Sequence, residues 1–438
     1  MIEEVVTPAF VREQARQLDS KELEKPVPLP RRGPRSAEPF IPSDRLQSQL
    51  QSALEERIES KPELTTERRP LAGPCGSAPP PPGASARAAQ ETLTGHFGPD
   101  DIRWVQTKIA EIQREGWATF SEDPADVVLD TNARVLLISD WGTGLAGAES
   151  VGAWMREKVT EAVAAGREVH VIHLGDVYYC GLPREYSKRF FDYWPVKPED
   201  GFARVHSWNL NGNHDMYAGG FGYFGVIAGD PKVEPRAPLF AQQRGCSYFK
   251  LHNEHWRIYG LDTAYDKNQH LRAAQLEWIR RELRAGGGQA MLLSHHQLDS
   301  VYDRGRVNGV LLDELGEDLK AGRVRAWFWG HEHRCVRYRP YAGVEYPRCI
   351  GNGGVPEVVE TTVFGVFKKV ASWVTGLFKH RRAGLPPRIL DESRTTWAAE
   401  GVHWRRHGFV CLDFNGPEIT ASYVDQCGET VFDDETLR

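Results

Sequence analysis

From residue 134 onward the chain repeatedly runs through a few apolar residues and stops at a polar cluster. "RVLLIS" (134–139), "VHVIHL" (169–174), "WRIYGLD" (256–262), "AMLLS" (290–294) and "RAWFW" (325–329) are too short for buried helices and are bounded by turn residues, so they read as strands. Between them, 148–165, 273–285 and 311–321 carry helical spacing. Strands alternating with helices predict an α/β domain. Two later runs, "GFVCLDF" (408–414) and "EITASYV" (418–424), are separated by "NGP" and predict a closing hairpin. The expected sheet is therefore mixed and doubled into a sandwich flanked by helices.

The polar residues at the ends of those strands carry the chemistry. Asp140 comes after "LLIS", "GDVYY" after "VIHL", "NGNHD" after "VHSWNL", "HHQ" after "AMLLS" and "GHEHR" after "RAWFW". Side chains at the C-terminal ends of strands in α/β sheets converge on one crevice, which can unite Asp140, Asp176, Tyr179, Asn213, His214, His295, His331 and His333. Turn chemistry alone gives no reason for this choice of residues in five successive loops. Carboxylate, amide and imidazole together suit two ions of the Zn, Mn or Fe type. A pair roughly 3.5–4 Å apart clamps both oxygens of an in-line displacement, the requirement of phosphoester hydrolysis.

In order and spacing, Asp140, "GD", "GNHD", His and "GHEH" resemble the calcineurin-like metallophosphoesterases. Gly142 stands where such a site usually has histidine, and "DxG" followed by "GDxxY" is similar to the purple acid phosphatase branch. "SDWGTG", "HLGDVYYCG", "GNHD" and the C-terminal "HGFVCLDF…ITASYV" are close to its mammalian-type members, so the resemblance covers roughly 134–424 with gaps. It implies that Asp140, Tyr179 and His333 hold one ion, ferric in that branch. It further implies that Asn213, His295 and His331 hold a divalent partner (Fe, Zn or Mn), with Asp176 bridging. A phenolate in place of an imidazole favours a trivalent ion. Tyr178 is expected to point elsewhere, and His295, the first residue after its strand, is preferred over His296 as ligand. His214 is free to act as a general acid, with Asp215 orienting it, and His296 to contact a phosphoryl oxygen or to pack.

Other candidates read as structural. His170 and His173 fall on opposite faces of one strand, Asp262 ends a strand in a turn, and Cys180 is read as an inert buried thiol. The segment 363–382, "VFGVFKKVASWVTGLFKHRR", has apolar and basic faces at helical spacing and reads as an inserted amphipathic helix. It can cap the core beside the site, or dock on an anionic membrane or a protein partner.

Composition bounds the rest. Residues 1–95 are rich in Pro, Ser, Glu and Arg and read as a mostly disordered extension with one isolated helix around Leu46, Leu50, Leu54 and Ile58, leaving 96–438 as the catalytic domain. The 54 basic and 60 acidic residues are nearly balanced, which gives no reason to expect nucleic acid. Seven scattered cysteines suggest neither a zinc finger nor a disulfide framework; with no apolar leader, they point to a cytoplasmic protein of undetermined oligomeric state. The expected function is hydrolysis of a small-molecule phosphate monoester by a metal-bound hydroxide. The alternatives are a phosphodiesterase acting on a cyclic nucleotide or lipid headgroup, and a binding module on a phosphatase fold.

Overall fold

A computed structural model of the protein describes Ser48, Ser52 and residues 117–201, 203–265, 269–298, 300, 309–356, 396–399, 402–432 and 434–438. The expected helix at 363–382, the division at residue 95 and nearly all of the N-terminal extension lie outside the described residues.

Two mixed sheets face each other. One holds the parallel strands β2 (Arg134–Ile138), β3 (Val169–His173) and β4 (Val205–Asn209), continued by the antiparallel β13 (Gly408–Asn415), β14 (Glu418–Asp425) and β15 (Glu435–Leu437), in the order β15-β14-β13-β2-β3-β4. The other holds β1 (Ala125–Val128), β5 (Phe249–His252), β6 (Trp256–Leu261), β7 (Gln289–Ser294), β8 (Ala326–Trp329), β9 (Cys335–Arg337) and β10 (Tyr346–Ile350), in the order β1-β5-β6-β7-β8-β10-β9. A separate ribbon pairs β11 (Thr396–Ala399) with β12 (Val402–Arg405).

The apolar runs lack strict alternation because both faces of each sheet are covered. Val135 and Leu137 point into the core between the sheets, where they meet Ile258, Met291, Leu293 and Phe328. Leu136 and Ile138 point outward and pack under helix α1 (Ala146–Ala164), which buries Val151, Met155, Val159 and Ala162 along one stripe. On the opposite outer face, α3 (Ala273–Ala285) and α4 (Gly309–Lys320) bury Trp278, Ile279, Leu283, Leu311, Leu315 and Leu319 against Tyr259, Leu292 and Trp327. Register at the sheet centre is fixed by Arg134, paired with Asp413 across β2 and β13. Its Nε and Nη2 donate to the two carboxylate oxygens at 2.7 and 2.8 Å.

Two expectations require correction. Cys180, Cys246, Cys335, Cys349 and Cys411 are free thiols, but Cys427, just past β14, is disulfide-bonded. Scattered cysteines carry no spacing signal for such a pair. The extension is also not wholly separate from the domain, since helical Ser48 and Ser52 are fully buried. No helix among the described residues is long and apolar enough to cross a membrane.

Candidate metal centre

The C-terminal ends of β2, β3 and β4 in one sheet and of β7 and β8 in the other meet at one edge of the sandwich. Two bonds fasten them: His331 N–H donates to Asp140 Oδ2 at 2.8 Å, and His295 Nδ1 to the Leu174 carbonyl at 3.0 Å. The short helix α2 (Asn213–Met216) begins here, after β4. Asp140, Asp176, His331 and His333 all have φ between 49 and 74°. Side chains rarely adopt this left-handed backbone, and it is retained where the surroundings over-determine it.

Glycine makes the close approach possible. A Cβ on Gly142 would lie 2.9 Å from Val177 Cα, so the position where a histidine is otherwise expected is filled by the neighbouring loop. A Cβ on Gly212 would lie 2.0 Å from Asp176 Oδ1.

Two groups of ligand atoms result. In the first, the Tyr178 hydroxyl lies 3.2 Å from Asp140 Oδ1, 3.1 Å from Asp176 Oδ2 and 3.1 Å from His333 Nε2. His333 Nε2 is 3.4 Å from Asp140 Oδ1. The tyrosine in the site is therefore Tyr178, which the sequence reading turned away. The Tyr179 ring lies under the Arg189 guanidinium, 4.5 Å from ring centre to Cζ, and its carbonyl accepts from His214 Nδ1 at 2.9 Å. Successive side chains in an irregular loop follow no period, so the "GDxxY" spacing that favours Tyr179 does not fix which ring turns inward.

In the second group, His295 Nε2 lies 3.0 Å from Asn213 Oδ1 and 3.3 Å from His331 Nδ1, and His296 stands against His331 with ring centres 4.7 Å apart. Asp176 joins the groups, its Oδ1 being 3.5 Å from His295 Nε2. Because a carbonyl only accepts, His295 must carry its proton on Nδ1, so its Nε2 lone pair faces the Asn213 oxygen. Burial pushes His295 and His296 below the ordinary histidine range and His331 down to about 3, which keeps these rings in the neutral form that ligates a metal. The His295 Nε2 lone pair and the Asn213 oxygen, two acceptors facing each other, are suited to a cation.

The carboxylates agree. Burial first, then the negative Asp140 and Asp215, push Asp176 well above the carboxylate range. Burial also raises Asp140, but His333, His295 and His331 outweigh it and hold this carboxyl below that range. Burial, then the negative Asp176 and Asp140, pushes the Tyr178 phenol up. A cation would relieve each of these conflicts.

Asp215 does not turn towards the imidazole of His214 as expected. Its carboxylate accepts from the backbone N–H groups of Gly212, Asp176 and Val177 at 2.7, 2.8 and 3.2 Å and from the Tyr186 hydroxyl at 2.7 Å, tying two ligand loops together. His214 is held instead by the Tyr179 carbonyl and by the Tyr178 and Tyr217 rings, 4.4 and 4.7 Å from its own. Its Nε2 is left 3.9 Å from Asp176 Oδ2, and burial lowers its pKa to about 3. Ser48 Oγ reaches 3.4 Å from His214 Nδ1, and Arg184 Nη2 donates to Ser52 at 2.5 Å, so two residues of the extension touch the site region. Nothing in the composition of residues 1–95 marks either serine.

The remaining candidates stay apart from the ligands. Asp262 accepts from Ser247 Oγ at 2.6 Å and from the Ala264 and Tyr265 N–H groups, and Cys180 is buried. His173 packs against Trp141, Phe190 and Trp194 on the outer face of its sheet. His170 lies with Glu168 and His206 in a second cluster of ligand-type residues. There the Trp208 indole donates to His170 Nδ1 at 3.1 Å, so the neutral ring carries its proton on Nε2, pointing towards Glu168 at 3.4 Å. Such a nitrogen has no lone pair for an ion.

A family model described as calcineurin-like phosphoesterase matches residues 133–335, which include every residue of both ligand groups. Among solved structures, GAP50, described as the anchor in the inner membrane complex of Plasmodium, is 11% identical, with 70% of this chain and 89% of that chain covered and a TM-score of 0.47. A predicted phosphoesterase from Streptococcus pneumoniae TIGR4 is 10% identical over 70% and 97% of the two chains, with a TM-score of 0.27. The cold-active protein-tyrosine phosphatase of a psychrophilic Shewanella is 14% identical over 72% and 83%, with a TM-score of 0.30. No curated protein sequence matches the chain.

Proposed function

We propose that the chain, whose residues 133–335 match the family model for calcineurin-like phosphoesterases, hydrolyses small-molecule phosphate monoesters at a dinuclear metal centre. Asp140, Tyr178 and His333 would hold one ion and Asn213, His295 and His331 the other, with Asp176 placed between the two groups. The observation that carries this proposal is the convergence of Asn213 Oδ1, His295 Nε2 and His331 Nδ1 within 3.0–3.3 Å contacts, beside an Asp140–Asp176–Tyr178–His333 group of equal closeness.

When bound, such ions supply positive charge to the phosphoryl oxygens and acidify a water for attack. The protein does the rest. Ser139 Oγ and the His331 N–H occupy Asp140 Oδ2 and turn Oδ1 towards Tyr178 and His333. The His214 N–H holds Asp176 Oδ1 at 2.9 Å. With Nδ1–H committed to Tyr179, His214 keeps Nε2 for the substrate. A proton taken up there from a monoanionic phosphoester can be given to the leaving oxygen. His296, fixed by Thr263 at 3.0 Å, offers a second imidazole to the phosphoryl group.

A substrate panel tests this. Protein of measured metal content should cleave an aryl phosphate monoester faster than the corresponding diester. The reverse preference would make it a phosphodiesterase, and no turnover by fully loaded protein would leave a binding module.

A further inference from the structure

We propose that Tyr217 is a positioning residue for the second ion: its phenol oxygen takes the amide hydrogen of Asn213 and thereby keeps the amide oxygen turned to the ion. The inference rests on the dinuclear reading above. Tyr217 follows α2 one turn after Asn213, on the same face. Asn213 Nδ2 donates to the Tyr217 hydroxyl at 2.8 Å, while Oδ1 points at His295 Nε2, 3.0 Å away.

The energetics depend on the two ends of the amide. At the ligand end, Oδ1 faces a histidine nitrogen that has no proton to give, because His295 spends its proton on Leu174. Without an ion, the amide would gain by turning its NH2 towards that nitrogen. With an ion, the oxygen must stay, and the NH2 needs an acceptor in a region where His214, Asp215 and Met216 are buried. Tyr217, itself only 6% exposed, supplies it. Losing a group that orients a metal ligand typically weakens metal binding about 10–100-fold. Replacing tyrosine by phenylalanine removes the acceptor but keeps the ring that stacks on His214.

Zn²⁺ titrated into metal-free full-length protein by calorimetry tests this, with Asn213→Ala identifying which of the two equivalents belongs to the Asn213 group. Tyr217→Phe should weaken that equivalent about 10–100-fold, leaving the other equivalent and the melting temperature of the metal-free protein unchanged. The intensity of the Co²⁺ ligand-field bands from the same equivalent should change with it. Wild-type affinity for both ions in Tyr217→Phe would overturn the proposal, as would equal weakening of both or loss of the fold. Absence of stoichiometric metal in the wild type would instead refute the dinuclear reading on which it rests.

Discussion

The Tyr178 hydroxyl and His333 Nε2 lie 3.1 Å apart, with a carboxylate oxygen of Asp140 within 3.4 Å of both. This geometry makes Tyr178 the phenol available to an ion, in place of the neighbour one residue on. Iron-loaded, oxidised protein should therefore absorb visible light by charge transfer from phenolate. Tyr178→Phe should abolish the band and Tyr179→Phe should keep it. A band lost in Tyr179→Phe but retained in Tyr178→Phe would restore the assignment read from the "GDxxY" spacing.

His214 should matter in proportion to the need for a proton. His214→Ala is expected to retain its metals and to lose about 10²–10⁴-fold in kcat on alkyl phosphates, with a much smaller loss on activated aryl phosphates. Equal losses on both would show that the imidazole only positions its neighbours.

How much of this was legible depends on where each residue sits. Asp140, Asp176, Asn213, His295, His331 and His333 could be found because each closely follows an apolar run, and those runs were visible because residues such as Leu136 and Leu137 are buried on opposite faces of one strand. The direction of a loop side chain has no such period. The "GDxxY" spacing favours Tyr179, whereas the loop that leaves Asp176 at φ 74° brings the Tyr178 hydroxyl to the ligands. Asp215 looked like a partner for His214 only through adjacency, whereas its bonds reach the 176–177 loop.

Acid should destabilise the metal-free protein partly through His173, which is not one of the proposed ligands. Burial is the main cause of its folded pKa of about 4, against an ordinary value of 6.5, with Asn209 at 2.8 Å as partner. The unfolded chain thus takes up a proton that the folded protein refuses. The stability is fully present above pH 6.5 and is lost as the pH falls towards 4, about 3 kcal/mol in all. His173→Asn should flatten the decline in urea-unfolding free energy between these limits by up to about 1.4 kcal/mol per pH unit. An unchanged slope would count against this origin.

Asp176 faces both ligand groups, with one oxygen 3.1 Å from Tyr178 and the other 3.5 Å from His295. Metal content and phosphatase activity measured together on wild type and Asp176→Ala test the dinuclear centre most directly. The wild type should carry about two ions per chain and lose activity as they are removed, whereas Asp176→Ala should lose both activity and stoichiometric binding. Full activity in metal-free protein, or two ions retained by an active Asp176→Ala, would contradict it.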